Sequence, residues 1–460
     1  MKKIEISKEK LMKIKDKIIF GLLFLWMIMP ILQTIRPLYE MIDLKDMFYI
    51  LMKITGALGI GISIFCIYDK INTAENKKTV IKEILPIIIF VIYMIWTLVS
   101  SLLSPNKEKA FEGTIYRKEG YYMYLNYAGY FLCAFLLEDK KLRKILLNTF
   151  IISSLYLIII SRISLSGQKY QQIFINNQID TTVFAQFNHY GYYLMMSFVC
   201  SLGLFITQKN KILKILYLIS YTIIGYAMIF NDTFGCYLAA TVMLTLYAIY
   251  SLIKKRDRKL IFIAIIVFVI LSSITTKWNQ NIAYKNIKKF TSDVKTIMYK
   301  VFDIEVKEEP KGNEQDQEQQ KKKEKIDKEF ELVGTSRMKL WTNGVKFVFE
   351  RPIIGYGPDN LGIKYMFEDI SQDRPHNLII YLSAVSGIPG MIIYVTAVGI
   401  IVIKGIKKLI QGNDNTKVFL IVVITYLVSS MFGNSMPYTS PYFFIFLGCL
   451  MNCNLQKREE

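Results

Sequence analysis

Histidine and cysteine are scarce in this sequence, whose 460 residues include 2 histidines and 6 cysteines. His189 and His376 stand far apart, and no Cys/His spacing typical of a zinc site occurs. The cysteines all fall in or at the ends of apolar segments, where they serve as small hydrophobic residues rather than as a disulfide framework. We therefore predict no metal site, no cofactor and no disulfide.

Charged residues are nearly missing from long stretches of the chain. Hydrophobic residues make up 53% of it and the mean hydropathy is +0.32, which exceeds the usual range for soluble domains. The uncharged runs cover 18–35, 47–68, 84–103, 121–137, 145–161, 183–206, 212–230, 235–253, 260–276, 378–403, 418–432 and 441–454. Runs of about 17–25 residues can span a hydrocarbon core as helices. The pattern predicts an all-α fold, a polytopic helical membrane protein with about 12 transmembrane helices and one large extracytoplasmic loop.

Three regions follow from these runs. Residues 1–276 are predicted to form an N-terminal membrane bundle of about nine spans, and residues 378–460 a C-terminal bundle of about three. The large loop 277–377 lies between them. Its middle part, 307–330, is charged and nearly free of apolar residues, and is therefore predicted to be a disordered insert.

Positive charge is distributed unevenly along the chain, which carries a net charge of +20. Lys and Arg concentrate in the tail 1–17 and in alternate short loops such as 69–83, 254–259 and 404–417. Because positive residues stay on the cytoplasmic side, both termini are predicted to be cytoplasmic and the loop 277–377 extracytoplasmic. The charge is thus explained by an inner basic rim near membrane lipids, and no nucleic-acid partner is expected.

The end of the large loop regains an amphipathic pattern. Leu340, Trp341 and Val348 recur at helical spacing and predict a helix over 335–350 that lies against the membrane surface. Arg337 falls in its first turn, where a cation opposes the helix dipole. Free backbone N–H groups plus a guanidinium make a phosphate or pyrophosphate site. A solvated arginine paired with a nearby glutamate explains the position equally well.

Both histidines open apolar runs, beside polar neighbours. His376 stands between Arg374 and Asn377, and a neutral imidazole there could take a proton from a sugar hydroxyl as a general base. Arg374 would then supply positive charge for an anionic leaving group. An interfacial histidine bonded to the backbone is the alternative, and position alone does not decide. For His189, next to Asn188, helix packing and acceptor binding are both open.

Five stretches together resemble the O-antigen ligase and O-antigen polymerase superfamily. They are "TSRMKLW…ERPIIGYGPDNLG", "RPHNLIIYLSAVSGIPGMIIYV", "FNHYGYYLMMSF", "GTIYRKEGYYMYLNY" and "NSMPYTSPYFFIFLGCLM". The resemblance implies a metal-independent glycosyltransferase in the cytoplasmic membrane of a bacterium. It would join a glycan from an undecaprenyl-pyrophosphate-linked donor to an acceptor hydroxyl on the outer face, and direct displacement would invert the donor linkage. The acceptor, whether glycan, lipid or wall polymer, stays open, as does the choice between ligase and polymerase.

The resemblance also implies roles for individual residues. His376 would be the base and Arg337 a pyrophosphate ligand. Many members carry a further arginine in a Ser-Arg-Gly stretch, which is replaced here by "TFG" at 233–235. A second cation must then come from elsewhere, with Arg117, Arg162 and Arg374 as the external candidates, or this protein handles its donor differently. We assign donor pyrophosphate binding to Arg337, Arg374 and Arg117, and acceptor or glycan binding to Asn188, His189 and Asn377.

Two other classes of function compete with this one. A polysaccharide flippase or other membrane transporter is the main alternative, and a membrane receptor or anchor is a third. Transporters commonly carry broken, repeated spans with charges at the midplane, whereas the ionisable residues here cluster outside the apolar runs. That distribution favours chemistry at one face of the membrane.

Overall fold

Helices make up nearly all of the regular structure. The computed structural model describes residues 8–35, 44–162, 183–302 and 337–455. In these ranges the strands are confined to a short antiparallel hairpin, β1 (Thr276–Lys277) and β2 (Gln280–Asn281). The helices, in chain order, are α1 (Lys8–Leu32), α2 (Leu44–Asn72), α3 (Lys77–Leu102), α4 (Lys107–Glu112), α5 (Tyr121–Leu136), α6 (Lys140–Arg162), α7 (Phe187–Thr207), α8 (Lys211–Phe230), α9 (Phe234–Lys254), α10 (Arg258–Ile274), α11 (Ile282–Phe302), α12 (337–350), α13 (Gly362–Phe367), α14 (Leu378–Ile410), α15 (Lys417–Ser430) and α16 (Ser440–Leu455).

Every apolar run predicted from the sequence falls on one of these helices. By length and composition, 7 of the described helices can cross a membrane. They are Phe48–Asn72, Lys77–Leu102, Lys140–Ser161, Phe187–Thr207, Lys211–Phe230, Phe234–Lys254 and Leu378–Ile410. The prediction of an all-α, multi-pass membrane protein is confirmed, and the number of twelve spans stays a prediction.

Two apolar helices near the C-terminus are short and enclosed. Helices α15 and α16 have 14 and 16 residues, which gives them lengths of about 21–24 Å against a hydrocarbon core of about 30 Å. Val422, Val423 and Leu450 are all 0% exposed. Because neighbouring helices surround α15 and α16, their lengths need not match the thickness of the bilayer.

Helices α2 and α5 cross at two glycines. A Cβ added at Gly129 would lie 2.3 Å from the carbonyl oxygen of Gly56, and one at Gly56 would lie 2.3 Å from Oδ1 of Asn126. Small residues allow two membrane helices to approach this closely. The crossing fixes the position of α5, and with it the segment 113–120 that precedes this helix.

Helix α11 was missed by the sequence analysis, which assigned its residues to the large loop. Its lysines and its apolar residues lie on different faces: Lys285 and Lys288 are exposed, and so are Tyr284 and Ile287, while Ala283 is buried. This arrangement is typical of a helix at the boundary of a membrane. The predicted insert 307–330 lies outside the described residues.

Helix α12 contains Leu340, and its apolar face packs against protein. Leu340 and Phe347 are 3% and 0% exposed. The Tyr365 hydroxyl of α13 donates to the carbonyl of Leu340 at 2.8 Å. The apolar face therefore contributes to a second hydrophobic core, whose members also include Tyr356, Tyr381 and Val385. The sequence indicates Thr335 or Ser336 as the N-cap of this helix, and both lie outside the described residues.

The helix connections gather at two ends of the bundle. At the first, which we call the histidine end, the segments 113–120, 371–377 and 431–439 meet. At the opposite end, the Lys417 ammonium lies 2.7 Å from Asp257, and their ion pair joins the loop after α9 to the start of α15.

Candidate functional site at the histidine end

Helix α14 is broken at Gly387, and the break positions the loop before the site. The φ of Gly387 is +71°, and a Cβ there would lie 1.9 Å from the carbonyl oxygen of Ile353, so only glycine fits. Three backbone hydrogen bonds join the two segments: Tyr356 N–H to Ala384 O at 2.9 Å, Gly357 N–H to Val385 O at 2.8 Å and Ile388 N–H to Pro352 O at 2.8 Å. The segment "GYGPDN" at 355–360 is therefore docked on the broken helix.

Helix α3 supports the same junction from the other side. The Ser100 hydroxyl donates to the carbonyl of Val385 at 2.7 Å, and the Ser104 hydroxyl donates to the carbonyl of Tyr356 at 2.7 Å. Backbone carbonyls on both sides of the junction thus find partners, as buried backbone groups must. The turn carries Asp359 into the protein interior just beyond this point.

Arg374 lies at the centre of a buried ion cluster. Its Nη1 donates to Glu119 and its Nη2 donates to Asp359 at 2.6 Å. The exposed fractions of the three side chains are 1% for Arg374, 0% for Glu119 and 2% for Asp359. Burial alone would lower the pKa of the guanidinium, but Tyr381, Asp359 and Glu119 raise it well above its ordinary value. Arg374 is thus enclosed and engaged with protein carboxylates.

Arg117 makes a two-pronged ion pair with Asp373. Its Nε and Nη2 donate to the two carboxylate oxygens at 2.8 and 2.6 Å. Burial alone would raise the pKa of Asp373, but the hydrogen bonds and charge of Arg117 lower it to about 2. The Arg117 side chain is 17% exposed, so it is more accessible than Arg374.

The segment 431–436, between α15 and α16, connects the predicted site residues. Its main-chain carbonyls accept hydrogen bonds from three of them, and its side chains contact two more. The contacts are Asn377 Nδ2 to Met431 O at 3.1 Å, Arg337 Nε to Phe432 O at 3.1 Å, Arg374 Nη1 to Ser435 O at 3.1 Å, His376 to Asn434 at 3.4 Å and Arg117 Nη1 to Met436 Sδ at 3.1 Å. The structure therefore brings Arg117, Arg337, Arg374, His376 and Asn377 together.

His376 is half-buried and has a left-handed backbone, with φ +53°. The Asn434 amide nitrogen lies 3.5 Å from its Nδ1 and 3.4 Å from its Nε2. A group equidistant from both nitrogens lies off the lone-pair direction of each, so this contact does not hold either nitrogen in a good hydrogen bond. Burial, followed by the charges of Arg337 and Arg117, lowers the His376 pKa to about 3. The imidazole is neutral at physiological pH.

His189 is buried at the start of α7, and its tautomer follows from one contact. Its Nδ1 lies 3.0 Å from the carbonyl oxygen of Phe184. A carbonyl can only accept, so Nδ1 of the neutral ring carries the proton and Nε2 is the acceptor. The ring stacks on Tyr438 at 6.4 Å between centroids, and His189 lies within electrostatic reach of His376. Asn188, next to it, is half-buried.

Asn377 acts as the N-cap of α14. Its Oδ1 accepts from the backbone N–H of Ile380 at 3.1 Å, while its Nδ2 donates to Met431. Both ends of the amide are thus engaged with the backbone. This places Asn377 beside the site as a helix cap, and its predicted role in acceptor binding stays a prediction.

The turn at 231–235, where the superfamily's further arginine is missing, also borders the site. A Cβ added at Gly235 would contact Phe432 at 3.2 Å, and the Phe234 ring lies 6.4 Å from that of Phe290 on α11. The position of the absent arginine is thus occupied by a ring contact to α11. Among the external candidates for a second cation, Arg117 is accessible, and the structure describes its side chain next to His376.

Sequence reasoning missed the carboxylates of the site and the 431–436 segment. Glu119 and Asp373 flank arginines in "YRKEG" and "QDRPH", and this alternation of charge was the available signal. Asp359 sits in the turn that the resemblance had already singled out. The 431–436 segment contacts three of the site residues through backbone carbonyls, and such contacts do not depend on a particular side chain in the sequence.

A helical membrane bundle with arginines, histidines and carboxylates gathered at one end defines a multi-pass protein with a polar, charged site among its connecting segments. Residues 219–395 match the family model described as O-antigen ligase. This match covers 177 of the 460 residues and supports the resemblance to the superfamily seen in the sequence. The match includes Arg337, Arg374 and His376, while Arg117 and His189 lie before it. The family implies a glycosyltransferase-type membrane function on lipid-linked glycans.

The curated proteins add no further comparison, since none of them matches this chain at a significant level.

Proposed function

We propose that this protein transfers a glycan from an undecaprenyl-pyrophosphate-linked donor to an acceptor hydroxyl at the outer face of the cytoplasmic membrane. The observation that carries the proposal is the neutral His376 with Arg337 and Arg117 in electrostatic reach, at one end of a membrane bundle. This combination supplies a base for a hydroxyl and cations for a phosphate leaving group. The O-antigen ligase domain supports the same class of substrate.

In the proposed step, the acceptor oxygen attacks the anomeric carbon of the donor sugar while His376 takes the hydroxyl proton. The bond from that carbon to the pyrophosphate oxygen breaks, and its electron pair leaves with the pyrophosphate. Attack opposite the leaving group inverts the linkage. A positioned base contributes about 10²–10⁴ in rate to such a reaction, and cations close to the leaving oxygen stabilise the charge that develops there.

Arg337 and Arg117 are the proposed donor ligands. The bond from Arg337 Nε to the Phe432 carbonyl fixes the plane of its guanidinium, and a planar fork matches two phosphate oxygens. Asp373 orients Arg117 by accepting from its Nε and from one N–H of its Nη2, so the remaining N–H groups of its outer nitrogens are the ones proposed to face phosphate oxygens. Bound pyrophosphate would offset the two positive charges that depress the His376 pKa, so donor binding is expected to strengthen the base.

Arg374 fits a positioning role better than direct contact with the donor. Its two outer nitrogens donate to Glu119 and Asp359, and the side chain is almost fully enclosed. The ion cluster holds the backbone two residues before His376. His376 itself has the left-handed conformation. We therefore propose that Arg374 acts through His376, while His189, with its Nε2 acceptor, and Asn188 contact the acceptor.

The experiment compares His376→Gln with the matched change His189→Gln in liposomes that hold a labelled undecaprenyl-pyrophosphate-linked glycan. Glutamine hydrogen-bonds but is no base near neutral pH, so His376→Gln should lower the rate of transfer at least 100-fold with donor binding near that of the parent. His189→Gln should mainly raise the KM for the acceptor. A His376→Gln protein that transfers glycan at the parent rate would refute the proposed mechanism.

A further inference from the structure

A narrow groove runs along the bundle between α9 and α10. The cavity has a volume of about 590 Å³, and one wall is a stripe on α9 that includes Tyr237, Thr241 and Ala248. From Tyr237 to Ala248 the stripe extends about 16 Å at the helical rise of 1.5 Å per residue. The groove is thus elongated along the helix axes, a shape that suits a hydrocarbon chain better than a compact ligand.

The groove walls are apolar although they contain hydroxyl groups. The Thr241 hydroxyl donates to the carbonyl of Tyr237 and the Thr245 hydroxyl to that of Thr241, both at 2.9 Å. These hydroxyls are satisfied within α9, so the side chains contribute small, dry surfaces. On α10, Val269 lines the groove and is 55% exposed. The groove therefore opens sideways, toward the lipid that surrounds a membrane bundle.

The end of the groove nearest the site is closed by α11, which carries the positive charge. Tyr284 and Ile287 of α11 line the groove, and Lys285 on the same helix pairs with Asp232 at 2.6 Å. One turn further on, Lys289 lies within electrostatic reach of Arg337. Basic residues thus lead from the mouth of the apolar groove to a proposed donor ligand.

We propose that the groove between α9 and α10 holds the polyprenyl chain of the donor, with its pyrophosphate directed along α11 toward Arg337. The proposal rests on the proposed function and names the site of the lipid part of its substrate. The open side lets a chain longer than the groove continue into the bilayer. The lysines complement an anionic head group, and their continuity with Arg337 favours the donor over a bulk phospholipid.

The test uses the full-length protein in liposomes and a polyprenyl pyrophosphate with a photoreactive diazirine near its head group. We expect the label to map to the groove-lining segments 237–248, 265–273 or 281–287, and unlabelled polyprenyl pyrophosphate to compete for it. Thr241→Phe narrows the groove and should lower labelling at least fivefold. Leu246→Phe is the matched control, because Leu246 is 47% exposed on another face of α9, and it should label like the parent. Label outside these three segments would overturn the proposal.

Two further arms separate the possible outcomes. Competition by phosphatidylglycerol as effective as that by polyprenyl pyrophosphate would overturn the proposal, because the groove would then be a general lipid site. In the transfer assay, Thr241→Phe should raise the KM for a long-chain donor more than for a donor with two isoprene units. A parent that is specifically labelled but transfers no glycan would refute the proposed function and retain the groove as a polyprenyl-pyrophosphate site.

Discussion

Replacing Arg374 with methionine tests the buried ion cluster at the centre of the site. Methionine keeps much of the side-chain volume but removes the charge, which leaves Glu119 and Asp359 in the interior without a cation. Their side chains are 0% and 2% exposed. Removing one partner of a buried ion pair costs about 3–5 kcal/mol, because the remaining charge is not compensated. We expect a loss of this size in the stability of the Arg374→Met protein.

The stability lost in Arg374→Met should depend on pH, and proton uptake decides the direction. A proton taken up by either carboxylate would replace part of the missing positive charge. The folded variant then binds more protons than its unfolded chain, so its stability should fall as the pH rises. The loss relative to the parent is accordingly expected to be larger at pH 8 than at pH 5. A variant that merely left a cavity would show the same loss at both.

The assay is the fraction of detergent-purified protein that remains monodisperse after heating. Arg256→Met is the matched control, since Arg256 lies 3.3 Å from Asp414 but their side chains are 37% and 48% exposed. An exposed pair of this kind contributes under about 1 kcal/mol. Neutralising the partners as well, in Arg374→Met/Glu119→Gln/Asp359→Asn, should recover most of the loss. Equal melting of Arg374→Met and Arg256→Met at pH 8 would refute the reasoning.

Four further outcomes are expected. Arg337→Lys keeps the charge and loses the fork, so its transfer rate should fall nearly as far as that of Arg337→Ala, and full activity of the lysine variant would reduce the role to charge alone. The acid limb of kcat/KM should lie below pH 6.5, where an unperturbed imidazole titrates. The acid limb of kcat should lie at a higher pH than that of kcat/KM, because bound donor offsets the cations near His376. Acid limbs at the same pH would argue against this coupling. Gly387→Ala should sharply reduce folded yield, whereas Gly399→Ala, in the same helix with nothing within 4 Å of an added Cβ, should not. A cysteine introduced in 312–325 should react with an impermeant thiol reagent in intact cells, and protection there would overturn the predicted orientation.

The sequence was informative about helices because each helix in a membrane is defined by its own composition. An uncharged run such as 212–230 predicts helix α8 almost to its ends. Helix α11 was missed for the opposite reason. Its many lysines lower the mean hydropathy of the segment, although Tyr284, Ile287 and Phe290 recur at helical spacing.

The candidate site was predictable as a set of side chains but not as a geometry. The polar residues at the starts of α7 and α14 identified both histidines. The pairing of Arg374 with Glu119 and Asp359 depends on which helix ends meet, and Glu119 lies 255 residues away in the chain. Which helix ends meet is determined by helix crossings such as that of Gly56 with Gly129, and no local sequence pattern encodes these crossings. The enclosure of Arg374 therefore had to come from the structure.

The 431–436 segment orients several side chains of the candidate site through backbone carbonyls, and this affects how the protein can change over time. A carbonyl is present whatever the residue, so the side chains at positions 431, 432 and 435 can drift while the bonds to Asn377, Arg337 and Arg374 persist. Insertion or deletion of one residue has a different effect, since it shifts every carbonyl relative to its donor at once. These three hydrogen bonds therefore tolerate substitution but not a change of length, whereas Gly433 in the same segment has no such freedom, since a Cβ there would lie 1.5 Å from the Tyr192 hydroxyl.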